Sequence, residues 1–524
     1  MTEPGDDRRS FASRTPVNDN PDKVVYRRGF VTRHQVTGWR FVMRRIASGV
    51  ALHDTRMLVD PLRTQTRAVL MGVIVLITAL VGCFVFSLIR PNGSAANKAV
   101  LADRSTSALY VRVGDQLHPV LNLASARLIA GRPDNPTVVK SAELDKFPLG
   151  SLIGIPGAPQ RIEQNTRKDA DWTVCDSASG TAAGTTVIAG ALDSSGARAK
   201  TLPTGNGVLV SNATSSWLLW DGRRSRIDLA DHAVTNALGL GSDIPTPRPV
   251  AVGLFNAIPE APPLAVPVIP DAGGPARFPV PAPIGAVVES HGLESTSGNS
   301  ALYYAVLPDG LQPISPVLAA ILRNSNSYGL DQPPRLGADR IAKLPVSKAL
   351  DTSRYPEQRI TLVDASHDPV TCAHWNKLAG ASTNSLTLLT GSALPIPDAL
   401  HTEDLVGAGS GGTASRVAMA PGRGYFTQTV GQGSSSPAAG SLFWVSDTGV
   451  RYGIDNEAAQ AGPTGQSKTA EALGLSSPPT PVPWSILSLY APGPTLSRAD
   501  ALLAHDGLAP DSRPGRTSAE GQTR

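Results

Sequence analysis

Residues 68–89 read AVLMGVIVLITALVGCFVFSLI, a run of 22 residues without a charge or a proline. At a rise of about 1.5 Å per residue, a helix of this length spans about 33 Å, enough to cross a hydrocarbon core of about 30 Å. The run therefore predicts a transmembrane helix. Within it, Leu80-Val81-Gly82-Cys83 looks like a lipoprotein processing site, but the apolar residues after Cys83 favour an ordinary membrane position for this cysteine.

The charges on either side of this run predict its orientation. Residues 22–67 hold ten Lys/Arg and three Asp/Glu, whereas Arg90 and Lys98 are the only cations among residues 90–99. Cytoplasmic flanks of a membrane helix carry an excess of Lys and Arg. We therefore expect a single-pass inner-membrane protein with a cytoplasmic N terminus and with residues 90–524 in the periplasm.

Composition and charge exclude several classes of protein. The 524 residues include 50 Gly and 45 Pro, and only 17% are charged, which argues against a coiled coil or a helical solenoid. Residues 1–67 carry 13 Lys/Arg and 7 Asp/Glu, a net charge of +6, so that the remaining 457 residues carry 34 and 36, a net charge of −2. The large part of the chain thus lacks the basic surface of a nucleic-acid-binding protein, and no nucleic-acid partner is expected.

Residues 1–67 are expected to form a cytoplasmic arm that contains a basic amphipathic helix. Thr32 and Gln35 have the spacing of a capping box, and the residues that follow place apolar side chains on one face and arginines on the other. Two hypotheses explain such a helix: it lies on anionic lipid, or it packs against a cytoplasmic partner. We favour the partner, and the docking residues expected are Trp39, Arg40, Val42, Met43 and Ile46.

Four aromatic-rich stretches share one pattern, and they begin at Leu109, Trp217, Leu302 and Leu442. Each predicts a strand, a glycine turn and a second strand, followed by a capping residue and an Ala-rich helical stretch. The expected capping residues are Asn122, Asp228, Ser315 and Asp455. The pattern predicts a ββα module that occurs four times.

The fold class expected is α+β, with one transmembrane helix and a large periplasmic domain over residues 90–505. Between the modules, the intervening stretches show a β pattern with Gly/Ser-rich turns and predict a central β domain. A proline-rich stretch at 259–283 predicts a stiff extended connector, and residues 506–524 a disordered tail. The repeats are expected at about 106–159, 216–270, 300–359 and 441–497, and the central domain at about 160–215 and 360–440.

Cys175 and Cys372 are the only cysteines outside the apolar run, and they lie in two similar strand-like segments. A disulfide between them is the most economical interpretation in an oxidising compartment. A metal site is not expected, because these two cysteines with only His374 nearby fall short of a four-ligand zinc set.

Two glycine-rich motifs resemble nucleotide sites. The loop Gly462-Pro-Thr-Gly465-Gln-Ser467-Lys468-Thr469 is one residue short of a Walker A motif, because Ser467 replaces the second defining glycine. The candidate nucleotide loop therefore comprises Gly462, Gly465, Lys468 and Thr469. Because of this loop, ATP is the only candidate cofactor; no other cofactor is expected. The second motif, Gly407-x-Gly409-x-x-Gly412, lacks a βαβ context and is explained by turns. No catalytic residue is expected, since the histidines are scattered and no acid pair stands out.

The resemblance of the chain to a known family rests on several stretches. These stretches are similar to EccB, a core membrane subunit of mycobacterial type VII (ESX) secretion systems. They are residues 20–41, 53–58 and 60–63 with the apolar run, residues 228–233, the segments around Cys175 and Cys372, and residues 494–502. The likeness extends over nearly the whole chain apart from its ends. Several segments resemble the paralogue of the third ESX system, which is tied to siderophore-mediated iron acquisition.

The resemblance implies a membrane subunit of a secretion complex that pairs through its periplasmic domain. Because the Walker-like loop is degenerate, we expect this subunit to be a non-enzymatic structural one. It implies partnership with the EccC ATPase, EccD, EccE, a second EccB copy and membrane lipids. Family members are often labelled ATPases, so a periplasmic ATPase is one alternative. A cell-wall-binding module built on the repeats is the other.

Overall fold

The computed structural model describes residues 32–53, 61–89, 95, 97–178, 183–291, 301–405, 412–437, 439–455, 467–476, 478–505 and 507. The chain forms two compact units, residues 1–92 and 93–524. The helices are α1 Arg33–Leu52, α2 Pro61–Ile89, α3 Leu123–Ala130, α4 Ser141–Leu144, α5 His232–Leu238, α6 Val252–Ala257, α7 Pro316–Ser325, α8 Ala338–Ile341, α9 Lys468–Leu473, α10 Trp484–Leu487 and α11 Arg498–Ala501.

The strands of the described residues all lie in the second unit. They are β1 Val100–Asp103, β2 Leu109–Val113, β3 Gln116–Val120, β4 Thr137–Val139, β5 Leu152–Ile153, β6 Ala170–Ser177, β7 Gly184–Ala189, β8 Lys200–Thr201, β9 Asn206–Asn212, β10 Ser215–Trp220, β11 Arg223–Ile227, β12 Arg248–Pro249, β13 Glu260–Leu264, β14 Val287–His291, β15 Ala301–Leu307, β16 Gly310–Ile314, β17 Thr361–Leu362, β18 Val370–Lys377, β19 Ser385–Gly391, β20 Thr402–Asp404, β21 Arg416–Ala418, β22 Tyr425–Val430, β23 Leu442–Val445, β24 Val450–Ile454, β25 Thr480–Pro483, β26 Ala491–Pro492 and β27 Ala504–His505.

The first unit contains the arm helix α1 and the apolar helix α2. Residues Thr66–Phe86 of α2 have a mean hydropathy of 2.9, and the helix is long and apolar enough to cross a membrane. Its large apolar side chains are exposed, as expected for a helix whose neighbour is lipid rather than protein. A candidate transmembrane helix thus covers the predicted run, and α2 begins several residues before that run, at Pro61.

The described residues of the second unit form five sheets. The central sheet has the strand order β20-β21-β7-β6-β18-β19-β8. The first sheet has the order β27-β5-β3-β2-β1-β4, the second β12-β9-β10-β11-β13 with β17 beside β9, the third β14-β15-β16, and the fourth β25-β22-β23-β24-β26. The mixed α+β class is therefore confirmed, while the count of four repeats stays a prediction.

The first to fourth sheets are called the outer sheets here. Each contains a hairpin, and a helix follows the hairpin along the chain: β2–β3 and α3, β10–β11 and α5, β15–β16 and α7, and β23–β24 and α9. Capping side chains start three of these helices. Asn122 accepts a bond from Ser125 N at 2.9 Å, and Ser315 accepts one from Leu318 N at 3.2 Å, as the sequence predicts. The expectation for Asp228 is wrong, because Asp231 caps α5 and accepts bonds from the first helical amides.

In each outer sheet a further strand pairs with the first strand of the predicted hairpin. β9 pairs with β10 and β22 pairs with β23, although their residues lie within the bounds expected for the central domain. The second and fourth sheets therefore begin one strand earlier than about 216 and 441. Both additional strands are largely buried, with consecutive buried residues at 207–210 of β9 and 425–427 of β22.

The proline-rich stretch is not wholly an extended connector. Residues Glu260–Leu264 form β13, an edge strand that pairs in parallel with β11. Leu264 and Ile269 are buried in the core of the second and third sheets. Prolines are compatible with such an edge, because an edge strand leaves amide positions that need no partner.

Two pairs of outer sheets share cores. Val111 and Leu128 of the first sheet and its helix pack with Trp444 and Leu473 of the fourth. In the same way Leu218 and Val234 of the second sheet and its helix lie in one cluster with Leu318 and Ile321 of α7. The sheets thus associate as first with fourth and second with third, and β27 joins the first sheet by pairing with β5.

Candidate functional site

The arm helix α1 presents a continuous apolar face. Its capping box is present, since Thr32 N donates to Gln35 Oε1 at 3.0 Å. Four docking residues of the sequence prediction are exposed: Trp39 by 64%, Val42 by 52%, Met43 by 47% and Ile46 by 55%. Such a row of large apolar groups on a helix, with arginines beside it, suits a partner surface or a lipid interface.

Phe41 is a second exposed aromatic residue that the periodicity analysis did not single out. At 100° per residue it lies about 200° from Trp39, on the side of Arg44 and Arg45. It is exposed by 55%, the same fraction as Ile46. Phe41 lies outside the periodic apolar face of α1, and its aromatic character is the only signal in the sequence that distinguishes it.

The two cysteines of the second unit lie opposite each other on the central strands β6 and β18. Their sulfur atoms are 2.10 Å apart and their Cα atoms 4.0 Å, so the predicted pair is at disulfide distance. Both residues are fully buried, in a small apolar cluster with Ile188 and Leu389. This cross-link joins two strands that are separated by 197 residues of chain and holds the two halves of the central sheet together.

A polar group occupies the same face of the sheet beside the cysteines. The Thr173 hydroxyl lies 2.9 Å from His374 Nδ1, and Asp171 Oδ1 lies 3.9 Å from His374 Nε2. Burial lowers the pKa of His374, and the Asp171 carboxylate partly offsets this effect. Thr173 has no exposed surface. The group therefore has no accessible nucleophile, and no cluster of three metal-ligating residues occurs among the described residues.

The Walker-like loop is described only in part, because Gly462 and Gly465 lie outside the described residues. Lys468 and Thr469 are the first two residues of α9. The strand before the loop, β24, pairs antiparallel with β23 and in parallel with the two-residue β26. A phosphate-binding loop follows a strand of a parallel sheet and opens a longer helix, whereas α9 has six residues.

The second glycine motif lies between β20 and β21. Gly407 and Gly409 lie outside the described residues, and Gly412 has a φ of +88°. β20 and β21 pair antiparallel, with Thr402 opposite Ala418. The motif therefore joins the strands of a hairpin, as the turn interpretation predicts, and the described residues around it form no βαβ unit.

Comparisons with known proteins agree on one family. A family model described as "Type VII secretion system ESX-1, transport TM domain B" matches residues 28–510. The chain is 71% identical over 528 residues to "ESX-3 secretion system ATPase EccB3" of Mycobacterium tuberculosis H37Rv, which covers 99% of this chain and 98% of the relative. It is 63% identical over 520 residues to the protein of that name from Mycolicibacterium smegmatis, with 98% of each chain covered.

Solved structures show the same similarity. A chain of the "EccB3 dimer from the ESX-3 core complex" matches with a TM-score of 0.68 and 58% identity, covering 78% of this chain and 100% of that chain. A chain of an intact ESX-5 inner membrane complex matches with a TM-score of 0.72 and 38% identity, covering 94% of this chain and 99% of that one.

Proposed function

The chain belongs to the EccB family of type VII secretion membrane proteins, and on that premise we propose that it is a non-enzymatic structural subunit of an ESX-3 inner-membrane secretion complex. The observation that carries the proposal is the likeness to the EccB3 dimer of the ESX-3 core complex, at 58% identity. In the proposed function the second unit dimerises in the periplasm, α2 anchors the chain in the membrane, and α1 docks cytoplasmic subunits.

The partners that we propose follow from the same family membership. They are the EccC ATPase, EccD, EccE and a second EccB copy, with membrane lipids around α2. A solved ESX-5 inner membrane complex that contains a chain similar to this one over 94% of its length supports membership of such an assembly. We also propose that the export it supports is linked to iron acquisition.

A periplasmic ATPase is the second candidate, because relatives carry the word ATPase in their names and Lys468 begins a helix after a glycine-containing loop. Three observations favour the structural function instead. Ser467 stands where the second glycine of a Walker A motif would be, α9 is short, and β24 is paired antiparallel with β23. ATP is also scarce on the proposed side of the membrane.

We expect that Lys468→Ala leaves secretion and complex assembly at wild-type levels. A phosphate-binding lysine supplies much of the charge stabilisation in phosphoryl transfer, so its loss abolishes hydrolysis wherever it is catalytic. The measurement is export, and growth under iron limitation, in cells whose only copy of this protein is the variant, with Glu471→Ala on the same helix as the control. Loss of export from a correctly assembled Lys468→Ala complex, with ATP turnover that only the wild type shows, would establish the enzymatic function.

Topology gives a second test of the proposed function. Protease added to intact spheroplasts should digest residues 90–524 and leave an epitope within the first 60 residues intact, because the ten Lys/Arg of residues 22–67 favour a cytoplasmic flank. Permeabilised spheroplasts, in which both sides are digested, are the control. Protection of the large unit with loss of the N-terminal epitope would reverse the orientation and exclude periplasmic dimerisation.

A further inference from the structure

A cavity of about 450 Å³ lies where the second sheet meets the central sheet. It is lined by residues 201–206, the turn between β10 and β11, residues 353–360, and residues 386–388 of β19. This volume is within the range of about 300–1,000 Å³ that is typical of ligand sites. The cavity is therefore large enough for a small organic molecule or for one unit of a polymer.

Hydrogen bonds between the lining segments fix the shape of the cavity. Leu202 N donates to Leu388 O at 2.8 Å and joins the first segment to β19. Arg223 Nη1 donates to Ser353 O at 3.1 Å and joins the turn of the hairpin to the third segment. That segment continues into β17, which pairs in parallel with β9. The walls are thus held in place without a ligand, and a preformed site loses little free energy to ordering when a ligand binds.

Neutral polar side chains with no partner line part of this cavity. The amides of Asn206 and Gln358 and the hydroxyls of Thr204 and Thr387 form no side-chain hydrogen bond with another described residue. A Cβ atom added to Gly205 would lie 2.4 Å from Gln358 Nε2, so this amide packs directly on the glycine. Each amide carries a donor and an acceptor, and a hydroxyl serves as either. The cavity therefore offers a ligand both kinds of hydrogen-bonding group.

The remaining wall is apolar and comprises the buried side chains of Trp220, Tyr355 and Leu388. The polar atoms of the two aromatic residues already have partners. Trp220 Nε1 lies 3.2 Å from the Ser225 hydroxyl, and the Tyr355 hydroxyl donates to Ala265 O at 2.7 Å. This wall is therefore left with carbon atoms for contact with a ligand.

The charges at the cavity do not favour an anion. Arg223 is held by Asp221 at 2.9 Å and stacks on the Trp220 ring at 4.8 Å. Glu357 also lines the cavity, is exposed, and forms no ion pair with a cation of the described residues. One cation and two carboxylates give a net charge of −1, which repels an anionic ligand. A wholly apolar ligand would leave the amides and hydroxyls unpaired, which costs free energy.

We propose that this cavity binds a neutral sugar, either free or as a unit of a polysaccharide. A sugar ring has hydroxyl groups at its edge and C–H groups on its faces, so it matches a cavity that has both polar side chains and an apolar wall. The amides of Asn206 and Gln358 bond to the hydroxyls and orient the ring, while its C–H groups pack against the apolar wall. This binding activity goes beyond the structural function proposed above, because it gives the second unit a ligand of its own.

The test measures the binding of N,N′-diacetylchitobiose, a neutral disaccharide, to the full-length protein by calorimetry. The detergent must lack a sugar headgroup, because such a headgroup would compete for the cavity. We expect Asn206→Ala and Gln358→Ala each to weaken binding about three- to tenfold, since each removes a hydrogen-bonding amide. Gln160→Ala is the matched control, because Gln160 is exposed and its amide donates to Leu121 O outside the cavity. It should change the affinity by less than about twofold.

Circular dichroism and thermal unfolding must show that each variant folds. The same affinity in the wild type and in the folded Asn206→Ala/Gln358→Ala double variant would overturn the proposed site, as would no binding of the disaccharide at millimolar concentration. The deacetylated disaccharide, which carries two ammonium groups, tests the charge. If it binds at least tenfold more tightly and Glu357→Gln removes this preference, the cavity is a cation site and the neutral-sugar proposal is wrong.

A sedimentation assay distinguishes the two sources of such a sugar. Purified peptidoglycan sacculi are incubated with the wild type and with the double variant. Co-sedimentation of the wild type alone would assign the cavity to a unit of the polymer. Binding of the disaccharide without co-sedimentation would assign it to a free sugar.

Discussion

Replacing Cys372 by alanine is expected to lower the free energy of unfolding of the second unit by about 4–5 kcal/mol. The cross-link to Cys175 closes a loop with a sequence separation of 197, and in the chain-entropy model a loop of this length restricts the unfolded chain strongly. The two cysteines also lie on adjacent central strands and are fully buried. Their loss therefore acts on the sheet that joins both halves of the unit.

The measurement is chemical unfolding of the full-length protein in detergent, followed by tryptophan fluorescence. Cys83→Ala, which alters the cysteine of the apolar helix α2, is the matched control and should unfold like the wild type. Reductant should bring the wild type to the stability of Cys372→Ala and leave the variant unchanged. Recovery of Cys175 and Cys372 as free thiols from the native protein by peptide mapping would refute the disulfide.

The second large effect concerns the arm. Trp39→Asp or Ile46→Asp should release the protein from the secretion complex while leaving it in the membrane. Each substitution places a charge on the apolar face of α1, where desolvating it against a partner is costly. Both side chains are more than half exposed, so neither change disturbs packing within the first unit. The measurement is co-purification of the other complex subunits with a tagged chain from detergent-solubilised membranes.

Phe41→Asp is the matched control for this experiment. Phe41 is exposed by 55%, as is Ile46, but it lies on the opposite side of α1. The partner-docking hypothesis requires that Phe41→Asp keeps the complex intact. If the complex survives both Trp39→Asp and Ile46→Asp, partner docking is wrong and the hypothesis of a lipid-bound helix is favoured.

Local signals account for the parts of this protein that could be predicted residue by residue. The apolar run predicts α2, because a membrane helix needs only its own backbone bonds and apolar side chains. The capping box predicts the start of α1, and the glycine turns predict the antiparallel hairpins, since all of these depend on residues within a few positions of one another. The pairing of Cys175 with Cys372 was predictable for a different reason. The chain has three cysteines, and with Cys83 in the apolar run only one pair is left.

The candidate nucleotide loop shows where local pattern is insufficient. Its sequence differs from a Walker A motif at one residue, but phosphate binding by such a loop also depends on the sheet that precedes the loop. β24 pairs antiparallel with β23, and this pairing cannot be inferred from the eight residues of the loop alone. The same holds for Asp231, which caps α5 because the turn after β11 ends there rather than at Asp228.

The sequence by itself determined the membrane helix, the arm helix, the hairpins, the cysteine pair and the family. Only the tertiary structure decided that the first sheet shares a core with the fourth, and that the proline-rich Glu260–Leu264 is an edge strand. These features join residues that are tens to hundreds of positions apart, often through parallel pairing, and their partners are chosen by the burial of whole faces. No short window of sequence contains both partners of such a contact.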